Sequence, residues 1–206
     1  MQMKYPISGI ILAGGENKRF GGREKAFITV HGQCILDHIY GLFRDLFEEI
    51  ILVTNNPRLY LNWDVNIVTD VFTLRSSLTG IHAGLFYAAQ PHAFITACDT
   101  PFLNIALVRN LLDSAAPELD LVIPYTDAGY EPLCAVYSKR CLPPIELQLR
   151  RQELKIENIF NKIRMKKILA PALRRSDPDL RSFFNINTPE DLERARQFKA
   201  ATAATQ

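Results

Sequence analysis

The 206-residue sequence predicts an α/β fold in three layers, a mainly parallel, doubly wound sheet with helices on both faces. Three observations predict it. Short continuous apolar runs alternate with longer stretches whose apolar residues recur at helical spacing, as expected of βαβ units around a buried sheet. The first such run, residues 7–12, feeds straight into a glycine-rich loop. Hydrophobic residues make up 48% of the chain and charged ones 22%, enough to build a core and too little charge for a disordered chain.

Taken in order, residues 7–12 read as the first strand. Ile35, Leu36, Ile39, Leu42, Phe43, Leu46 and Phe47 form the apolar stripe of a helix over 35–47. Residues 49–53 and 66–69 read as the second and third strands. A helix is expected from near Gly80 to Gln90, then a fourth strand over 93–97 that ends at Cys98-Asp99-Thr100-Pro101. A helix over 105–114 and a strand over 121–123 follow. Residues 132–137 alternate like a strand, 142–159 look mostly helical after Pro143-Pro144, and 183–185 read as a short closing strand. The last helix opens at Thr188-Pro189-Glu190-Asp191, with Thr188 as N-cap and Pro189 at the first helical position. One domain over 1–200 accounts for the length, and the Ala/Thr tail at 201–206 is expected to fray.

Composition excludes several classes of function. Lys plus Arg is 24 against 22 Asp plus Glu, a net charge of +2, so nucleic acid is not an expected partner. The four cysteines never form a C-x-x-C pair, which argues against a zinc site or a disulfide framework and for a reduced, cytoplasmic protein. No apolar run approaches the roughly 20 residues that span a bilayer, so no membrane partner is expected. The four histidines are scattered and read as packing or surface residues. Charge is uneven: residues 139–181 hold 12 Lys/Arg and 5 Asp/Glu. This is either a solvated helical face or a set of cations for an anionic second substrate, with Arg150, Arg151, Lys155, Arg164, Lys166 and Lys167 as candidates.

The strongest local signal is the loop from Leu12-Ala13-Gly14-Gly15 to Lys25. Glycines at 14, 15, 21 and 22 let backbone N–H groups approach a phosphate, while Arg19 and Lys25 add positive charge. A loop at the carboxyl end of a parallel strand is where such sheets bind ligands, so this one reads as a cradle for an anionic nucleotide. Lys25 is followed by Ala26 rather than a hydroxyl residue, and neither the P-loop nor the dinucleotide fingerprint is present. Asp99, at the tip of the fourth strand, is either a helix N-cap or a Mg2+ ligand; its company with the glycine-rich loop favours the metal. Cys98 reads as a small buried thiol. Asp70, Asn185 and Asn187 could each be turn residues and no more.

The pattern L-A-G-G-x-x-x-R-F-G-x-x-x-K resembles the signature loop of nucleotidyltransferases with the glycosyltransferase-A-type, Rossmann-like fold. Further blocks recur in order: Val53-Thr54-Asn55, Asp70, Leu78-Thr79-Gly80-Ile81, Cys98-Asp99-Thr100-Pro101-Phe102, Glu131-Pro132-Leu133 and Asn185-Ile186-Asn187-Thr188-Pro189. Together they resemble the MobA-like molybdenum cofactor guanylyltransferases over nearly the whole chain. That resemblance implies transfer of GMP from GTP to the terminal phosphate of molybdenum-bearing molybdopterin, with release of pyrophosphate. It implies a nucleotide-binding N-terminal half and an acceptor-binding C-terminal half. Arg19, Lys25 and Asp99 would be catalytic, with Mg2+ on Asp99. Leu12, Ala13, Gly14, Gly15, Lys25, Asn55, Asp70, Leu78, Gly80 and Asp99 would hold the nucleotide, and Asn185 and Asn187 the acceptor. Molybdoenzyme clients and cofactor-loading proteins would be further partners. The chain departs from the pattern at Val53, where some members carry a polar residue, and at Ser76-Ser77, where Gly-Pro is usual. Three alternatives stand beside this reading: a CTP-using relative, a sugar-phosphate nucleotidyltransferase and a non-catalytic carrier of GTP or cofactor. Gly14 speaks against the first, since cytidylyl relatives usually carry Ala there, and the absence of a Gly-Thr-Arg-Leu loop speaks against the second.

Overall fold

The computed structural model describes residues 3–14 and 24–198. Within them the strands are β1 (Ser8–Leu12), β2 (Thr29–Val30), β3 (Gln33–Cys34), β4 (Ile50–Val53), β5 (Asn66–Val68), β6 (His92–Ala97), β7 (Leu121–Thr126), β8 (Gly129–Tyr130), β9 (Cys134–Ser138) and β10 (Met165–Leu169). The helices are α1 (Ile35–Leu46), α2 (Ser77–Tyr87), α3 (Ile105–Asp113), α4 (Leu142–Arg150), α5 (Ala170–Leu173) and α6 (Pro189–Gln197). The main sheet runs β10-β7-β9-β6-β1-β4-β5, with β8 hairpinned onto β7. Pairings within β6-β1-β4-β5 are parallel, as is β10 with β7. Only β9, lying antiparallel between β6 and β7, and β8 reverse direction. None of the described helices is long and apolar enough to cross a membrane.

Helices cover the sheet on both faces, giving the three layers. One core gathers Phe43 and Phe47 at the end of α1, Phe94 of β6 and Leu107 of α3; the other gathers Ile10 of β1, Leu78 of α2 and Ile145 of α4. The helices sit so close to β1 that two positions admit no side chain. A Cβ on Gly9 would fall 2.5 Å from the Phe47 ring, and one on Gly84 would fall 2.6 Å from Cγ2 of Ile10. Glycine at both places lets α1 and α2 grip the first strand from opposite faces.

Several expectations need correction. The helix expected from Gly80 begins at Ser77, because the Ser76 side chain accepts the Thr79 backbone N–H and caps it there. Strand β7 runs on to Thr126, three residues beyond the expected end. Over 142–159 the helix stops at Arg150, and a 3-10 segment follows at Ile156–Lys162. Residues 183–185 form no strand. Leu180 sits in the left-handed region at φ 53°, Arg181–Phe183 turn as a 3-10 helix, and Phe184 packs among aromatic rings. Strand β10 was missed because its two exposed lysines, suited to a sheet edge, break the apolar run. Thr188 does cap α6, in a reciprocal capping box with Asp191.

Candidate active site

The chain leaves β1 to build β4 and β5 on one side, then returns to build β6 on the other. The carboxyl ends of β1 and β6 therefore flank the point where strand order reverses, the place at which open α/β sheets form a ligand crevice. Backbone pairing continues past both ends: Ala13 N donates to Val53 O at 2.9 Å, and Cys98 N to Leu12 O at 3.0 Å. Gly14 and Asp99 thus leave neighbouring strands side by side. Between them opens a cavity of about 730 Å³, which both residues line together with Lys25, Asn55 and Asp70.

Lys25 enters this crevice from a pinned turn. The 3-10 segment Lys25–Phe27 is anchored by fully buried Ala26, whose carbonyl accepts the Cys34 thiol at 2.9 Å. The Phe27 ring lies 5.2 Å from that of Tyr60 and 5.8 Å from that of Trp63. Held in this way, the Lys25 ammonium lies 3.2 Å from Asp99 Oδ2 and 2.6 Å from Asn187 Oδ1. Both side chains of the ion pair are 19% exposed, so the charges are partly shielded from water yet open to a ligand.

Asp99 is positioned from both sides. The Thr100 hydroxyl donates to Ala97 O at 2.9 Å and closes the turn, while Asp99 O accepts Ile186 N at 2.9 Å. Asp99 is not an N-cap: Asn104 caps α3, its side chain accepting Ala106 N at 2.8 Å. Asn187 in turn is fixed by the start of α6, where Asp191 Oδ2 accepts the N–H groups of Asn187 and Thr188 at 3.1 and 3.0 Å. Those hydrogen bonds, that from Asn187 foremost, pull the Asp191 carboxyl below its usual range.

At the far end of the cavity Asn55 Nδ2 donates to Asp70 Oδ2 at 2.8 Å, and Asn56 Nδ2 to Glu24 Oε1 at 2.9 Å. Leu12, Ala13 and Gly80 line the wall, whereas Leu78 is fully buried in the core below it. Asn185 is exposed and does not line this cavity. Gly15 and Arg19, with Gly21 and Gly22, lie outside the described residues. Arg75 also lines the cavity, a cation that the sequence reading passed over. The signal was its place in the loop after β5, immediately before the cap of α2.

The other candidates sort by contact. Cys98 lines the cavity, but burial, followed by the charge of Asp99, drives its thiol pKa far up and keeps it a protonated bystander. His82 is buried, edge-on to Phe72 and within 3.2 Å of Glu146, a packing role. Of the basic candidates, Arg164 pairs with Asp120, Lys155 with Glu157, and Lys167 lies over the Tyr125 and Tyr130 rings. None of the six lines this cavity, which favours the solvated-face reading.

A lysine and a strand-tip carboxylate meet across this crevice with neither a histidine nor an activated thiol beside them. Such an arrangement suits group transfer by positioning and charge, the chemistry of a nucleotidyltransferase. Residues 9–167 match the model of the MobA-like NTP transferase domain, and the chain belongs to that family. It is 46% identical over 189 residues to the molybdenum cofactor guanylyltransferase of Desulfosudis oleivorans, covering 92% of this chain and 94% of that one. A probable molybdenum cofactor guanylyltransferase of Natranaerobius thermophilus is 35% identical, covering 95% and 98%. Among solved structures, molybdopterin-guanine dinucleotide biosynthesis protein A of Archaeoglobus fulgidus superposes with a TM-score of 0.82 at 26% identity, covering 92% of this chain and 97% of that one.

Proposed function

We propose that this enzyme transfers GMP from GTP to the terminal phosphate of molybdenum-bearing molybdopterin, releasing pyrophosphate and forming the guanine dinucleotide form of the cofactor. The substrates follow from the similarity to guanylyltransferases over nearly all of both chains. The observation that carries the chemistry is the Lys25–Asp99 pair beside Gly14 at the switch point of the sheet.

A phosphate oxygen of the acceptor attacks the α-phosphorus of GTP in line. One P–O bond forms as the bond between the α-phosphorus and the bridging oxygen breaks, and pyrophosphate departs with that electron pair. A phosphate monoester is already largely ionised at neutral pH, so no general base is needed. Lys25 neutralises the triphosphate, and backbone N–H groups from Gly14 onward, past the last ladder bond of Ala13, would hold it where the strand opens into the turn. Arg19 would add charge from the same loop. Asn55, Asp70 and Gly80 would hold the nucleoside end. Asn187, already on the Lys25 ammonium, would meet the incoming phosphate.

The residues fit Mg2+ carried in by the nucleotide. The described residues contain no group of three or more His, Cys, Asp or Glu that could hold an ion alone. Mg2+, however, needs only one or two carboxylates when phosphate oxygens and waters complete its shell, and Asp99 supplies one. Bound there, the ion would supply charge neutralisation on the phosphates.

The test is product formation. With Mg2+ and metal-loaded molybdopterin, GTP should yield pyrophosphate and a product heavier by one GMP unit, and CTP should not replace it. More rapid transfer from CTP would overturn the base assignment, and GTP binding without turnover would mark a carrier.

A further inference from the structure

Arg75 lies in the loop that leads from β5 into α2, and it lines the crevice together with Asn55, Asp70 and Gly80. In the sheet β1 and β4 lie between β6 and β5, so the tips of β6 and β5 stand three strand spacings apart, about 14 Å. Lys25 and Asp99 occupy the β6 side. A triphosphate seated on them needs its nucleoside to reach the β5 side, where Arg75 stands. The backbone beside Arg75 is fixed by the helix it precedes: the Ser76 hydroxyl accepts Thr79 N at 3.1 Å and lies 2.9 Å from the Thr79 hydroxyl. The Arg75 side chain, by contrast, is exposed and makes no hydrogen bond or ion pair among the described residues. Asp70, five residues earlier, accepts Asn55 Nδ2 instead.

An arginine that lines a cleft with no carboxylate of its own to hold is available to a ligand. Its planar guanidinium presents parallel N–H donors and no acceptor, so its complement is a pair of adjacent acceptors in one plane. A guanine nucleotide offers such a pair in two places, on its phosphates and on the O6/N7 edge of the base. Lys25 serves the phosphates from the other end of the crevice, which leaves the base edge to Arg75. Adenine and cytosine both carry an amino group where guanine carries O6. Either base would set a donor against the guanidinium and leave it unpaired, the kind of mismatch by which a polar site rejects a wrong substrate.

Resting on the guanylyl reading above, we propose that Arg75 selects the base of the nucleotide, its guanidinium donating to O6 and N7 of guanine. Calorimetric titration of the full chain with GTP, with GMP and with 7-deaza-GTP, which lacks the N7 acceptor, tests this. The wild-type chain should bind GTP at least roughly 10-fold more tightly than 7-deaza-GTP, the loss expected for one hydrogen bond to a charged donor. Arg75→Met, at an exposed and unpaired position, should keep the fold, weaken GTP by roughly 10- to 100-fold and bind the two triphosphates alike. Arg75→Lys keeps the charge without the fork and should restore only part of the affinity. A wild-type chain indifferent to N7 would overturn the assignment, as would an Arg75→Met chain that still prefers GTP to 7-deaza-GTP. Loss of the preference for GTP over GMP in that variant, with the N7 preference kept, would place Arg75 on the phosphates instead. The two readings fail separately. N7-dependent binding that vanishes in Arg75→Met, but with no GMP transfer to metal-loaded molybdopterin by the wild type, would sink the guanylyl reading and leave Arg75 its role.

Discussion

Lys25 is the residue through which the site is assembled. Its ammonium bridges a carboxylate just past the end of β6 and an amide ahead of α6, 162 positions away in the chain. Removing it would strip charge from the proposed seat of the triphosphate and would leave Asp99 without its cation. We expect Lys25→Ala and Asp99→Ala each to lower kcat/KM for pyrophosphate release by about 10²- to 10⁴-fold, the usual loss when one pre-organised charge is removed. Near-normal rates in both would show that the reacting phosphates lie elsewhere. Asp99 was legible in the sequence because an acid ending a buried apolar run needs a reason to be there. Asn187's hold on Lys25 was not, since no local pattern encodes a contact over that separation. Arg75 escaped for the opposite reason: an exposed cation ahead of a helix looks like ordinary surface.

Among the elements, α6 couples stability to the site. Its capping box fixes the residue before the cap, Asn187, whose amide holds Lys25. Asp191→Ala should cost about 1 kcal/mol in denaturant unfolding and also raise KM, because the N–H groups of Asn187 and Thr188 lose their acceptor. A loss of stability with unaltered kinetics would uncouple the two. A second device is Asp120, ahead of β7, which binds Arg140 after β9 and Arg164 before β10. Burial pushes its carboxyl upward, but hydrogen bonds from Arg164 and then Arg140 outweigh this and bring the pKa down to about 2. The folded value lies below the unfolded one, near 4, so this stabilisation is present above pH 4 and lost as pH falls toward 2. Asp120→Asn should remove about 1–2 kcal/mol at pH 7, discounted for the half-exposed arginines, and leave less to lose on acidification. Equal acid sensitivity in the variant would refute the role. At this scale apolar runs predicted the strands around β1 well, since each is covered on both faces. The run at Phe183-Phe184 misled because aromatic packing against Phe102 and Phe198, not a ladder partner, buries it.

On the scale of the whole molecule, the order of the strands decides where chemistry happens. Reversal between β1 and β6 opens the crevice, and the antiparallel insertion of β9 makes β7 run parallel to β6, so its carboxyl end reaches the same edge. The sequence foretold a parallel α/β sheet but not this insertion, because a strand buried on both faces reads alike in either direction. The central claim is that this edge moves the α-phosphorus of GTP onto a phosphate of the pterin. GTP labelled in turn at the α- and γ-phosphorus, incubated with Mg2+ and metal-loaded molybdopterin, tests it most directly. The α-label should pass into the pterin product while the γ-label leaves entirely in pyrophosphate; γ-label in the pterin, or no label there from either nucleotide, would contradict the account.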